Sequence, residues 1–228
     1  PESHLQVKGH SKGNFSVKWV KKTKQHLEIA SAAGLLRLTP ITPETIRVSF
    51  VKSVTGSIQD TNWKAQADTS VTWSAKESRS EVQLMTDRIL IRVEKANGAL
   101  QFISRDGKKL LAENVSEPRL ILESQTWNFF AWDKNERLKS KGVLAEDFMD
   151  LTTKARYISF GQKKLRMPLV LSNKGYALGV AAGSTVLFCN VRTYGQYVYT
   201  QGTGQIDYYF IYDENQEKNI AQYRNLPV

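Results

Sequence analysis

Ile89-Leu90-Ile91-Arg92-Val93-Glu94 leads to Asn97-Gly98, then Ala99-Leu100-Gln101-Phe102-Ile103, then Asp106-Gly107, then Lys109-Leu110-Leu111. Three runs of strand-forming residues are thus divided by two Asx-Gly pairs nine residues apart. Such pairs supply the positive φ that tight hairpin turns require, because glycine has no Cβ to clash there. The stretch predicts an antiparallel meander.

The same pattern extends in both directions. Glu81-Val82-Gln83-Leu84-Met85-Thr86 precedes the meander as a further strand. Earlier, Leu35 to Pro40 and Thr45 to Phe50 form two β-rich runs, joined by Pro40 and Pro43 with Glu44 at the turn. Later strands are expected at Ala155–Phe160, Leu169–Leu171, Tyr176–Val180, Thr185–Val191, Gln196–Thr200 and Ile206–Tyr212. Asn173-Lys174-Gly175 turns one of them into the next. Gly202-Thr203-Gly204 reads as a hairpin turn, since no helix follows it to make a phosphate-binding loop. Ser140 to Asp150 fits no period and is expected to be a loop with a short helical turn. A dozen or more short strands at this spacing imply an all-β, antiparallel β-sandwich, one domain over residues 1–228.

Only the end departs from the pattern. Asp213-Glu214-Asn215 can cap a helix, and Ile220, Tyr223 and Leu226 recur at helical spacing before Pro227. A short C-terminal helix over 214–226 is expected, and its position next to the last residue reads as a cut ahead of another domain.

Composition narrows the function classes. The 228 residues are 41% hydrophobic and 24% charged, which is ordinary for a globular chain. No apolar run approaches the roughly 18 residues of a membrane helix, so no membrane partner is expected. The net charge of +10 is spread along the chain. Its densest run, Lys18 to Lys24, alternates with Trp19 and Val20 as a solvated strand face would. With no zinc-finger spacing, basic helix or RNA-recognition signature, nucleic acid is not expected as a partner. The one cysteine, Cys189, sits beside Leu187 and Phe188 and is read as a reduced, buried strand residue, which suits a cytoplasmic location.

His4, His10 and His26 all fall in the first 26 residues, none at metal-ligand spacing, and no metal or cofactor is expected. Glu146, Asp147 and Asp150 cluster, as glycoside hydrolysis would need, but clustered loop acids are usually solvated. Asp207 is expected to end a face or pair with an arginine. Trp127, Phe129, Phe130 and Trp132 are read as core or interdomain packing. Tyr194, Tyr197 and Tyr199, next to the turn residue Gly195, are candidates for stacking on a sugar ring.

Several blocks, in order, resemble one family. Leu36-Arg37-Leu38-Thr39-Pro40 with Ile46-Arg47-Val48, and Leu90-Ile91-Arg92-Val93 with Gly98-Ala99-Leu100 and Asp106-Gly107, look like the opening of the N-terminal domain of glycoside hydrolase family 31. Met167-Pro168-Leu169-Val170-Leu171-Ser172 with Lys174-Gly175-Tyr176, then Asp207 to Tyr212, then Ile220 to Leu226, are similar to its later strands and following helix.

The resemblance implies a galactose-mutarotase-like sandwich ahead of a (β/α)8 barrel, with retaining hydrolysis of α-glucosides or α-xylosides performed by two barrel aspartates. The barrel and, through it, a carbohydrate would be the partners. The family's Asp-Met-Asn-Glu nucleophile motif does not occur, and Asp147-Phe148-Met149-Asp150 does not match it. Tyr157 to Gln162 stands where many members carry a Tyr-Gly-Leu-Gly-Glu stretch before a substrate-contacting loop. By that correspondence Gln162, Lys163 and Arg166 are the candidates to reach a sugar. A free-standing carbohydrate-binding module is the alternative. An aldose epimerase, needing a histidine and a carboxylate about the sugar, is less well supplied.

Overall fold

The computed structural model describes residues 9–53, 71–142, 147–161, 163–164, 167–181 and 183–227. The first strands, β1 (Val17–Lys22), β2 (Leu27–Ser31), β3 (Gly34–Thr42) and β4 (Thr45–Val51), pair consecutively. A second meander follows: β5 (Ser74–Glu77), β6 (Glu81–Met85), β7 (Ile89–Glu94), β8 (Leu100–Ser104) and β9 (Lys109–Ala112). These five form their own sheet.

From there the chain alternates between two sheets, mostly in hairpin pairs. The hairpin β10 (Arg119–Leu122) and β11 (Gln125–Phe129) belongs to a six-stranded sheet. Next, β12 (Leu138–Lys141) and β13 (Phe148–Asp150) join the first strands in a nine-stranded sheet. Then β14 (Ala155–Phe160) and β15 (Lys163–Lys164) return to the six-stranded sheet, β16 (Leu169–Ser172) and β17 (Tyr176–Val180) to the larger one. Finally β18 (Thr185–Val191) and β19 (Gly195–Gln201) complete the six-stranded sheet, and β20 (Gln205–Tyr212) lies between β4 and β17. All pairings are antiparallel, as the sandwich reading requires.

Strand periodicity explains where the core sits. On β20, Ile206, Tyr208, Phe210 and Tyr212 point into the main core. There Phe210 stacks on Phe102 of the five-stranded sheet at 4.1 Å, and Tyr208 meets Phe130 just beyond β11 edge-on at 6.0 Å. One face of the nine-stranded sheet therefore packs against both smaller sheets. On the other face, Tyr209 and Ile211 join Leu169, Leu171 and Ala177 under helix α1 (Gln216–Arg224), which contributes Ile220 and Tyr223. Asn215 caps the helix, its side chain accepting from the Glu217 N–H at 3.0 Å. Gly179 makes this close approach possible, because a Cβ there would lie 2.3 Å from the Tyr223 ring. With both faces covered, β20 is buried at every residue.

Three expectations are corrected. Pro40 lies inside β3, opposite Ile46, and only Pro43 and Glu44 form the turn. The pairing of β3 with β2 ends at Leu38, so no neighbour on that side needs the N–H that proline lacks. Gly202 to Gly204 is not a hairpin turn but the crossing from β19 in one sheet to β20 in another. Leu138–Lys141 and Phe148–Asp150 are paired strands rather than a loop with a helical turn. Neither sequence alternates, and tertiary pairing makes them strands: β16 recruits β12, and β12 in turn recruits β13. Among the described residues no helix is long and apolar enough to cross a membrane.

Candidate functional site

The hairpin of β14 and β15 carries Lys163, one of the residues singled out for sugar contact. Phe160 opposes Lys163, and Ser159 opposes Lys164. Gly161 sits in the turn with φ 58°, and its N–H donates to the Thr185 hydroxyl at 3.0 Å. Gln162 and Arg166 lie outside the described residues, and Lys163 is placed by its backbone alone. Phe160, which the sequence reading passed over, is 59% exposed and meets the Tyr157 ring edge-on at 5.3 Å. A large apolar residue directly before a turn glycine was the available signal.

The three candidate stacking tyrosines do not share one surface. Tyr197 and Tyr199 point from β19 to the side opposite Val198 and Thr200, among Leu120, Trp127, Leu187 and Cys189. Both are buried, which pushes the Tyr199 hydroxyl up to about 12 and raises that of Tyr197 further. Tyr194 stands apart, 42% exposed on the turn between β18 and β19. Of the other aromatics, Phe130 and Trp132 belong to the main core and Trp127 to the Tyr199 cluster.

Acid–base chemistry would need carboxylates free to exchange protons with a substrate. Three carboxylates are buried among the described residues, and each is held by structural partners. Glu113 receives Arg119 through both oxygens, at 3.0 and 2.5 Å, together with the Asn128 amide at 2.9 Å and the Leu100 N–H at 2.9 Å. Arg119 also donates to the Gly98 carbonyl at 2.8 Å and lies over the Phe15 and Phe50 rings. Asp207 receives Arg47 at 2.8 and 2.5 Å, the Ser49 hydroxyl at 3.1 Å and the Gln205 amide at 3.0 Å. This is the arginine pairing expected of Asp207.

Glu136 explains the Ser172-Asn173-Lys174-Gly175-Tyr176 block. The Ser172 hydroxyl donates to it at 2.6 Å and the Tyr176 hydroxyl at 2.5 Å, while the Lys174 amine lies at 3.4 Å. Burial, and then the Glu136 charge, push the Tyr176 hydroxyl well above its usual range. Burial pulls the Lys174 amine down, but Asp133 and Glu136 together outweigh it and leave the amine raised. The motif is a cage that ties the 133–136 turn to the β16–β17 hairpin.

Of the clustered acids, Glu146 lies outside the described residues, while Asp150 is exposed and accepts from the Thr152 N–H at 3.0 Å. That hydrogen-bonding to Thr152 lowers its carboxyl. His4 is also outside the described residues; His10 contacts Glu117 at 2.5 Å and His26 contacts Glu28 at 3.3 Å. Among the described residues no group of three or more potential ligands could hold a metal ion.

Comparison of the sequence with protein-family models and with curated proteins gives no match. The fold does match solved structures. The glycoside hydrolase family 31 dextranase of Flavobacterium johnsoniae, in complex with isomaltotriose, superposes with a TM-score of 0.74 at 17% identity, over 93% of this chain and 28% of that one. A family 31 α-xylosidase from a soil metagenome, with xylose, gives 0.70 at 17% identity, over 90% and 34%. The cycloalternan-forming enzyme of Listeria monocytogenes, with a pentasaccharide substrate, gives 0.76 at 14%, over 94% and 22%. The chain therefore has the fold of one part of such enzymes and spans between 22% and 34% of their length. Identity this low establishes the fold alone.

Proposed function

We propose that this chain is the N-terminal, non-catalytic β-sandwich of a retaining α-glycosidase of glycoside hydrolase family 31, acting on α-linked glucosides or xylosides through a (β/α)8 barrel. The observation that carries the proposal is the lopsided match, nearly all of this chain against 22–34% of each enzyme. The chemistry of the chain agrees with a supporting role. Its buried carboxylates Glu113, Glu136 and Asp207 are consumed by arginine, lysine, hydroxyl and amide partners, and a carboxylate so held is a poor proton shuttle. The β14–β15 hairpin, with Phe160 exposed beside Lys163, is the part that would face the barrel, and Gln162, Lys163 and Arg166 would lend it contacts to the sugar. C-terminal to β20, helix α1 would lead the chain on into the barrel.

The test is turnover of p-nitrophenyl α-glucoside and α-xyloside by the 228-residue chain and by the protein extended to include the barrel. The extended protein is expected to release nitrophenol and the chain alone to release none. Hydrolysis by the chain alone would refute the supporting role. The second reading, a free-standing carbohydrate-binding module, has exposed Tyr194 in its favour. It would replace the first if the extended protein were inactive, the chain alone were retained on an α-glucan column, and Tyr194→Ala abolished that retention.

A further inference from the structure

Between the six-stranded and nine-stranded sheets lies a small cavity of about 20 Å³. Its lining is apolar at Phe130, Leu178, Val180, Val198 and Ile206 and otherwise polar, including Asp207, whose carboxylate is already held by Arg47. Thr126 and Thr200 face each other there across the β11–β19 pair, hydroxyl to hydroxyl at 2.6 Å. Asn128 and Tyr208 also line it. All four side chains are buried, with residue exposures of 2%, 7%, 3% and 5%.

The hydrogen bonds of this polar lining are incomplete. The Asn128 amide nitrogen is used twice, on Glu113 at 2.9 Å and on the Pro118 carbonyl at 3.0 Å, which fixes the other amide atom as the acceptor oxygen. That oxygen and the Tyr208 hydroxyl are both buried without a protein partner. An amide oxygen or a hydroxyl left bare in a low-dielectric interior bears its full desolvation cost, and two such groups on one cavity need a common remedy. The Thr126–Thr200 pair shares one bond between two hydroxyls, so one proton remains to be donated.

We propose that this cavity binds a single ordered water, held between Tyr208, Asn128 and the Thr126–Thr200 pair. The water donates to the Asn128 oxygen and accepts from the Tyr208 hydroxyl and the spare threonine proton. Its size suits the cavity, which takes one water and nothing larger. Apolar cavities of comparable size stay dry, whereas this one offers the two to four polar partners that a buried water requires. The site pins β11 and β19 of one sheet to β20 of the other, where Phe130 and Tyr208 already meet. It is a structural ligand site and does not depend on the glycosidase reading.

The sign of one substitution distinguishes a bound water from an orphaned hydroxyl. With the water in place, Tyr208→Phe removes a made hydrogen bond, and the thermal midpoint of the chain is expected to fall by roughly 2–4 °C. If the hydroxyl were bare, the same change would relieve an unsatisfied group, and a rise or no change would overturn the proposal. A crystal structure of the unmodified chain supplies a second readout. Density for one water within about 3 Å of the Tyr208 hydroxyl and the Asn128 oxygen is expected. An empty cavity, or a direct bond between those two groups, would also overturn it.

Discussion

Glu136 shows how much of a recurring motif can be structural rather than chemical. Ser172, Lys174 and Tyr176 stand at alternate positions through a tight turn, and all converge on this one carboxylate. Glu136→Gln keeps the shape but replaces an anion by an amide that must turn a donor towards Tyr176, Ser172 or Lys174. The substitution is expected to cost about 1–3 kcal/mol in urea unfolding. An unchanged midpoint would mean the cage contributes nothing. The sequence reading noticed the block but not its centre. Glu136 lies in Asp133-Lys134-Asn135-Glu136, which looks like any solvated turn, and only the fold brings it beneath Tyr176. Asp207 was easier, because a lone acid in an apolar strand must find a cation.

β20 is the element on which the rest of the sandwich is assembled, and it is rich in tyrosine. Burial raises the hydroxyls of Tyr208, Tyr209 and Tyr212 above the usual 10.0, that of Tyr209 to about 12. Tyr176 opposite and Tyr223 on the helix are raised for the same first cause. Because the folded values lie above the unfolded one, the unfolded chain loses these protons first as pH rises. Their contribution to stability is therefore intact below pH 10 and is lost progressively above it, that of Tyr209 by about pH 12. Thermal midpoints measured across that window should fall steeply, and a flat profile to pH 12 would contradict the burial of these hydroxyls. Strand existence was legible here from Ile206 to Tyr212, because alternating and aromatic residues are strand-forming. Its neighbours were not, since β4 and β20 pair across about 160 intervening residues, as in Arg47 with Asp207. No local pattern encodes so distant a pairing.

For the whole molecule, the architecture was more legible than the site. Two Asx-Gly turns and regular strand spacing pointed to an antiparallel sandwich, and nearly the whole chain matches one part of family 31 structures. Of the blocks that carried the family resemblance, those in β4, β20, β17 and β16 lie side by side at the centre of the nine-stranded sheet, while the others fall in β3, in β7 and β8 of the five-stranded sheet and in α1. They resemble the family because they build its fold, and for that reason they say little about chemistry. The most direct measurement is the coding sequence downstream of Val228. The account predicts a continuous reading frame of several hundred further residues, forming a (β/α)8 barrel with two aspartates placed for retaining hydrolysis. A stop codon at that point in the native gene would contradict it, and would leave a sandwich that must act without a barrel.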